Sequence, residues 1–240
     1  MGGLNLTKHH GLGNDFLVLL DLEARHVVDG STARAVCDRH RGVGADGLVH
    51  VTAGSDGADV TMVLYNADGS RAEMSGNGIS CVAQAVVMAG VVSGPDVTVA
   101  TDAGTRTVRL DGDRATVDMG EVVVKTDGDG LLVDVGNPHL VLRDEGQDLT
   151  EIGRRHPDLN VELIAWDGNA LSMRVHERGV GVTDSCGTGA VASAAAGREW
   201  GMAGDRVVVA QPGGRTDVDL SGATARYTVP VVFVARIEVP

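Results

Sequence analysis

Ser75-Gly76-Asn77-Gly78 opens the stretch of sequence that decides the fold. Apolar residues follow it at helical spacing, so the sequence predicts a helix over 76–90. The same pattern returns at Cys186-Gly187-Thr188-Gly189, where an alanine-rich stretch predicts a second helix over 187–200. The repeated pattern favours two similar halves, dividing near residue 113, over a single sheet.

Short strands separated by turn residues surround both predicted helices. This pattern predicts an α/β (α+β) fold of two domains. Residues 1–113 and a final strand at about 229–240 are expected to form the N-terminal domain, and 114–228 the C-terminal domain. The final strand, which starts at residue 223, is expected to break at Pro230, because proline has no N–H to donate to a neighbouring strand.

The composition argues against several classes of partner. A net charge of −13 disfavours nucleic acid and anionic membranes, which both need a basic face. No apolar run reaches about 18 residues, so no membrane span is expected. The three cysteines include no CxxC pair, which favours a reduced, cytoplasmic protein.

Neither a cofactor nor a metal is expected. A pyridoxal-phosphate enzyme needs a Schiff-base lysine, and the only two lysines, Lys8 and Lys125, lie in a predicted first strand and near a hairpin. His9 and His10 are adjacent and have no ligand spacing to a carboxylate cluster. The Gly-rich loop 42–47 lacks the Lys-Ser/Thr that completes a nucleotide-binding P-loop.

Glycines at a helix start leave backbone N–H groups uncovered, and the positive end of the helix favours a carboxylate there. The two starts, led by Ser75 and Cys186, predict one α-carboxylate held between them. Their side chains would then face opposite sides of one α-carbon, which suits racemisation by a base and an acid. We also expect the helix start to lower the pKa of the Cys186 thiol. For each motif alone, the alternative is an ordinary helix cap.

Motifs from residue 8 to about 214 resemble those of diaminopimelate epimerase. In chain order they are Gly13-Asn14-Asp15-Phe16, Asp38-Arg39 with Gly42-Val43-Gly44-Ala45-Asp46-Gly47, Asn66-Ala67-Asp68-Gly69-Ser70, Ser75-Gly76-Asn77-Gly78, Gly136-Asn137-Pro138-His139, Asn160-Val161, His176-Glu177-Arg178-Gly179 and Cys186-Gly187-Thr188-Gly189-Ala190. As an ordered set covering nearly the whole chain, these motifs are highly specific.

The resemblance implies two pseudo-symmetric domains, each a curved mixed sheet around a central helix, with the active site in the cleft between them. It also implies interconversion of LL- and meso-diaminopimelate for lysine and peptidoglycan synthesis, without a cofactor and often as a homodimer. Among the catalytic and binding positions of the family, Cys186 matches one catalytic base. The amides of Gly76, Asn77, Gly187 and Thr188 match those that hold the reacting carboxylate. Asn66, Asn137, Asn160 and Arg178 match positions that recognise the distal carboxylate, Glu177 matches a contact to an amino group, and Asn14 lines the pocket.

Two further interpretations concern side chains beside these positions. His139, next to Asn137, is expected to shape the pocket. Taken singly, each of the asparagines also fits a turn, where Asn is common without any ligand. Glu177 and Arg178, taken alone, also fit a solvated pair at the end of a strand. The ordered motif set is what favours the functional interpretation.

Ser75 departs from the family, which has its second catalytic cysteine at this position. A hydroxyl is harder to ionise than a thiol by roughly four to five pKa units, so Ser75 donates a proton more easily than it removes one. Three explanations stay open: a working or slow epimerase with unequal bases, an engineered exchange that disables one base, or a protein that acts on a related amino acid or only binds its ligand. Cys37 and Cys81 are expected to be structural, and Ser80 stands where the family usually has arginine.

Overall fold

The computed structural model describes residues 3–55, 57–128 and 130–240. Two compact units divide the chain. Residues up to Val117, together with Pro230–Pro240, form the first unit, and Asp118–Val229 form the second. The assignment of functional domains from the sequence, 1–113 with 229–240 and 114–228, stays a prediction.

The first unit contains a mixed sheet and two helices. Its elements are β1 (Leu4–Gly11), β2 (Asn14–Leu20), α1 (Gly30–Cys37), β3 (Gly47–Ala53), β4 (Val60–Asn66), β5 (Arg71–Ala72), α2 (Gly76–Met88), β6 (Asp96–Thr101), β7 (Gly104–Asp111) and β8 (Arg114–Gly120). Strands β1 and β2 pair antiparallel, β2 and β3 pair parallel across α1, and β3 and β4 form an antiparallel hairpin. After α2, β6 pairs parallel with β4 and continues into the antiparallel strands β7 and β8.

The second unit repeats this order. Its elements are β9 (Val123–Asp127), β10 (Gly130–Asp134), β11 (Pro138–Arg143), α3 (Leu149–Arg155), β12 (Asn160–Trp166), β13 (Leu171–Glu177), β14 (Gly181–Thr183), α4 (Gly187–Glu199), β15 (Arg206–Gln211), β16 (Gly214–Asp219) and the first part of β17 (Ala225–Val239). The part of β17 from Pro230 onwards belongs to the first unit. Strands β10 and β11 pair antiparallel, β11 and β12 pair parallel across α3, and β12 and β13 pair antiparallel. After α4, β15 pairs parallel with β13 and continues into the antiparallel strands β16 and β17.

Both units therefore share one topology: a hairpin, a parallel crossover through a short helix, a second hairpin, a long helix, and a second parallel crossover into a final meander. The α+β class and the two similar units, predicted from the repeated helix start, are confirmed. The shortest strands were not predicted from the sequence: β5 has two residues and β14 has three.

Each long helix packs against the sheet of its own unit. Helix α2 contacts β1, β2, β3, β4, β6 and β7, and α4 contacts β10, β11, β12, β13, β15 and β16. Every residue of α4 from Gly187 to Gly197 is buried, as expected for a helix that is covered on all sides. Within the described part of the chain, no helix combines the length and apolar character that crossing a bilayer requires.

The predicted break at Pro230 is wrong, because β17 runs without interruption from Ala225 to Val239. Pro230 lies between two paired stretches, since 226–228 pair with β16 and 231–239 pair with β1. A proline placed between two ladders removes no hydrogen bond from either of them, which is why the strand tolerates it.

The loop that follows α1 requires glycine at position 42. The amides of Val43 and Gly44 donate to the carbonyl oxygen of Val36 over 2.9 and 3.0 Å, so the loop folds back on the end of the helix. A Cβ atom on Gly42 would lie 2.7 Å from that same oxygen and would also overlap the carbonyl oxygen of Ala35. Both obstacles are backbone atoms, which cannot rotate away.

We therefore expect Gly42→Ala to lower the free energy of unfolding by about 2 kcal/mol, a typical cost of steric strain at a fixed backbone. Urea unfolding monitored by circular dichroism measures it. Gly204→Ala is the matched control, because a Cβ atom there has no heavy atom within 4 Å. Equal unfolding midpoints for the two variants would contradict the expectation.

Candidate active site

Ser75 is the N-cap of α2. Its backbone is extended (φ −141°, ψ 127°), and its Oγ accepts the N–H of Gly78 over 3.0 Å. The carbonyl oxygen of Ser75 accepts the N–H of Ile79 over 2.9 Å. Because Oγ is the acceptor in this cap, the hydroxyl hydrogen is not used in it and can donate to another group.

Asn14 is held in place by Asp46. Asp46 belongs to one of the sequence motifs, but the motif does not show this role. A two-residue turn with positive φ at Leu12 (52°) and Gly13 (85°) places Asn14 at the start of β2. The Asn14 Nδ2 donates to Asp46 Oδ2 over 2.9 Å, and its Oδ1 accepts Nδ2 of Asn77 over 3.2 Å. Since a carboxylate can only accept, Asp46 fixes the direction of both amides.

Asp46 is itself anchored by charge. Arg39 Nη2 donates to Asp46 Oδ1 and to Asp15 Oδ1, each over 2.7 Å, and Lys8 Nζ lies 2.8 Å from Asp15 Oδ2. Burial raises the pKa of Asp15, but hydrogen bonds from Arg39 and Lys8 outweigh it, and the net direction is downward. The chain of contacts therefore runs from a small ion cluster to the buried first turn of α2.

Asn66 occupies the last position of β4, where it serves a turn. Its Nδ2 donates to Ser70 Oγ over 3.0 Å, and its backbone N–H donates to the Ser70 carbonyl oxygen over 2.9 Å. This is the ordinary turn role of asparagine that the sequence left open. The assignment of Asn66 to a substrate stays a prediction.

Cys186 caps α4 in the same way that Ser75 caps α2. Its backbone is extended (φ −135°, ψ 119°), and its Sγ accepts the N–H of Gly189 over 3.4 Å. Thr188 Oγ1 lies 3.5 Å from the sulfur. The backbone N–H of Cys186 donates to Oε1 of Gln211 over 2.8 Å. No sequence motif predicted this contact.

Glu177 is the side chain that changes the chemistry of Cys186. The hydroxyl of Thr183 donates a hydrogen bond to the Glu177 carboxylate, and this carboxylate is close enough to the Cys186 thiol to raise the thiol pKa by its charge. Burial raises the pKa of Glu177, more than hydrogen bonding lowers it. The contact of Glu177 with a substrate amino group stays a prediction.

The sequence predicted that the helix start lowers the pKa of the Cys186 thiol. This prediction is wrong, because the sum of all effects raises that pKa. Burial raises that pKa well above its ordinary value, and the nearby carboxylates of Glu177 and Glu162 raise it further. The hydrogen bonds from Thr188 and from the Gly189 N–H lower it, but they do not compensate. Burial and the two carboxylates therefore favour the neutral thiol at Cys186.

A second chain of contacts reaches Thr188 from a buried histidine. His139 has no exposed surface, and its ring nitrogens lie 2.7 Å from Glu162 Oε1 and 2.9 Å from Asn137 Oδ1. The Asn137 Nδ2 donates to Thr188 Oγ1 over 3.3 Å. Glu162 is fully buried on β12, and sequence reasoning missed it, although an acidic residue in an apolar strand is itself a signal.

Asn160 ties two strand ends together near this chain. Its Nδ2 donates to the carbonyl oxygen of Pro138 over 3.1 Å, and its Oδ1 accepts the backbone N–H of Arg178 over 3.0 Å. Asn160 thereby fixes the backbone on either side of the predicted ligand-binding residues Asn137 and Arg178. Its contact with a substrate stays a prediction.

The structure thus collects the predicted residues in two groups. In the first unit, Ser75, Gly76 and Asn77 form one helix start, and Asn14 is bonded to it. In the second unit, a chain of hydrogen bonds connects Cys186 with Thr188, Asn137 and His139, and the charge of Glu177 acts on the Cys186 thiol. The other two cysteines are buried, and burial raises the pKa of Cys37 to about 12 and also raises that of Cys81.

Comparisons with known proteins agree with this arrangement. Residues 6–125 and 131–234 match the profile of the diaminopimelate epimerase family. The chain is 38% identical to diaminopimelate epimerase from Mycobacteroides abscessus, with 98% of this chain and 96% of the relative covered. It is 35% identical to the diaminopimelate epimerase of Synechocystis, over 98% of this chain and 99% of the relative.

Solved structures share the fold at much lower identity. A hydroxyproline epimerase from Agrobacterium vitis matches with a TM-score of 0.74 and 17% identity, over 100% of this chain and 94% of that one. A PhzF-family phenazine biosynthesis protein from Bacillus anthracis matches with a TM-score of 0.77 and 15% identity, over 100% of both chains.

Fold and sequence together define an amino-acid epimerase, which is an isomerase. The chain belongs to the diaminopimelate epimerase family. The resemblance drawn from the motifs is confirmed along nearly the whole chain, because the relatives align with 98% of it.

The raised pKa of Glu177 predicts how stability depends on pH. The folded state holds this carboxyl proton to higher pH than the unfolded chain does, so the associated stability is full below the unfolded pKa and is lost as pH rises through the folded pKa. Glu177→Gln mimics the protonated form and should be more stable than the parent at pH 8 by roughly 1–3 kcal/mol, the cost of desolvating such a group.

Thermal unfolding between pH 4 and 8 measures this difference, which should shrink towards pH 4. The control is Glu145→Gln, because Glu145 is exposed and its side chain accepts no hydrogen bond within the described residues. A Glu177→Gln variant less stable than the parent at every pH would refute the buried-charge explanation.

Proposed function

We propose that this chain interconverts LL- and meso-diaminopimelate by proton transfer at the α-carbon. Cys186 works on one face of that carbon and Ser75 on the other. The observation that carries the proposal is the position of the Cys186 sulfur at the start of α4, where it accepts the N–H of Gly189 over 3.4 Å beside the N–H groups of Gly187 and Thr188. The nearby Glu177 carboxylate supplies a base for this thiol. Membership in the family supports the choice of substrate.

The first step moves the thiol proton of Cys186 to Glu177, which leaves a thiolate and a neutral carboxyl group. The thiolate then takes the α-proton and becomes a thiol again, and the substrate becomes a carbanion delocalised into its carboxylate. The N–H groups of Gly187 and Thr188, at the positive end of α4, stabilise the negative charge that builds up on the carboxylate oxygens. Delivery of a proton to the opposite face completes the inversion.

Ser75 is the donor for that opposite face. Its Oγ accepts the Gly78 N–H, so the hydroxyl hydrogen is available to the carbanion. Donation leaves an alkoxide on Ser75, and forming an alkoxide instead of a thiolate costs on the order of 6 kcal/mol if nothing compensates. Solvent returns a proton to Ser75, and Glu177 gives its extra proton back to solvent, which resets both groups. The enzyme therefore has unequal bases, and in either direction its slow step is the one that involves the Ser75 alkoxide.

The distal end of the substrate completes the proposal. Diaminopimelate has a second carboxylate and a second ammonium group, which need a cation and an anion respectively. We assign the distal carboxylate to Arg178 with Asn66, Asn137 and Asn160, and a contact in the pocket to Asn14. The product, meso-diaminopimelate, serves lysine and peptidoglycan synthesis. A cytoplasmic homodimer remains our prediction for location and assembly.

Incubation with LL-diaminopimelate in D₂O tests the reaction directly. We expect deuterium at the α-carbon and the appearance of the meso isomer, both followed by NMR. Cys186→Ala should abolish both signals, because it removes the base of one face. A folded parent protein that gives neither signal, while racemising another amino acid from an L-amino-acid panel, would replace diaminopimelate as the substrate.

Ser75→Cys tests the unequal pair. A second thiol should raise kcat by about 100-fold or more, because the alkoxide is no longer needed, and general acid–base groups contribute on this scale. Ser75→Ala, the matched variant without any proton to donate, should fall below the parent. If Ser75→Cys shows no gain although it folds and binds diaminopimelate, Ser75 is not the second group.

A further inference from the structure

Gln211, the last residue of β15, joins that strand to the start of α4. Its side chain is buried, with 7% of the residue exposed. Its Oε1 accepts the backbone N–H of Cys186 over 2.8 Å. A backbone N–H can only donate, so the amide cannot be turned round, and the Nε2 group is fixed as the free end.

The Nε2 of Gln211 is buried and has no hydrogen-bond partner within the part of the chain that the structure describes. A buried donor left in this state costs free energy, and buried polar groups in proteins are rarely left so. Two carboxylates, Glu177 and Glu162, influence the nearby thiol of Cys186, yet neither takes this hydrogen. A bound ligand is therefore the natural acceptor for this N–H group.

The surroundings of Nε2 select the chemistry of that ligand. The Oε1 and Nε2 atoms belong to one planar group, so Nε2 lies beside the backbone of Cys186. At this helix start, the N–H of Gly189 donates to the Cys186 sulfur, and the N–H of Ala190 donates to the Cys186 carbonyl oxygen. The N–H groups of Gly187 and Thr188 have no acceptor within the helix and lie at its positive end, which favours a carboxylate.

We propose that Gln211 is a substrate-binding residue whose Nε2 donates a hydrogen bond to the α-carboxylate bound at the start of α4. It adds a third donor to the amides of Gly187 and Thr188. It also fixes the carboxylate relative to the Cys186 backbone, because one side chain holds both. This inference rests on the proposed function, in which that helix start binds the reacting carboxylate.

Gln211→Glu is the sharpest variant, because it is nearly identical in shape and keeps the oxygen that accepts the Cys186 N–H. It replaces the donor by a second oxygen, which repels a carboxylate. We expect KM for LL-diaminopimelate to rise about tenfold or more, with kcat changed less than about threefold. Gln211→Leu loses both contacts, so it should lower kcat as well, because the Cys186 backbone loses its anchor.

A change in kcat alone for Gln211→Glu, with KM kept, would overturn the proposal and leave Gln211 as an anchor of the backbone. If the new charge prevents folding, the parent protein still decides the matter. The chain has three glutamines and seven asparagines, and the side-chain amide signal that disappears from the ¹⁵N–¹H spectrum of Gln211→Leu identifies Gln211. Addition of LL-diaminopimelate should shift the Gln211 amide protons downfield and leave those of Gln147, which is bonded to the backbone carbonyl of Arg143, unmoved.

Failure of this inference is separable from failure of the proposed function. Turnover of diaminopimelate with an unmoved Gln211 signal would reject the inference and keep the function. If the parent neither binds nor turns over diaminopimelate, the same spectrum is recorded with a panel of L-α-amino acids. A shift with any of them would retain Gln211 as a carboxylate donor, and no shift with all of them would overturn it.

Discussion

The first turn of a buried helix has N–H groups that no earlier turn can accept and that little water reaches, so each must find a partner in the protein or in a ligand. Helix α4 is the stronger case, because it is buried along 187–197. The Cys186 sulfur accepts the N–H of Gly189, and Gln211 accepts the N–H of Cys186 itself. The N–H groups of Gly187 and Thr188 remain without an acceptor in the helix, and this structural necessity is what we propose a substrate carboxylate satisfies.

The sequence predicted the long helices and the two-unit fold because both depend on local patterns. Spacing of apolar residues places α2 and α4, and the repeated Gly-x-Gly start indicates two similar units. Pro230 was misjudged because the sequence does not say which neighbour a strand residue faces. β17 pairs with β16 before the proline and with β1 after it, so the proline lies outside both of these paired stretches.

The site was predictable as a set of residues but not as a network. Family motifs supplied Cys186, Glu177 and His139, yet Gln211 and Glu162 act through contacts that span 25 and 23 residues of sequence. The pKa of the thiol was misjudged for a related reason. A helix start is visible in sequence and lowers a thiol pKa, whereas full burial and two carboxylates from other strands raise it and prevail.

In both N-caps, the atom that caps the helix is also the atom that we propose to react. Position 75 therefore has two requirements, to cap the helix and to transfer a proton. Oxygen caps a helix well, as the 3.0 Å bond from Gly78 to Ser75 shows, while the corresponding bond to the larger Cys186 sulfur is 3.4 Å. Serine is among the preferred N-cap residues. A change from cysteine to serine at such a position therefore costs the helix little, so the stability of the fold places no constraint that would keep a thiol there.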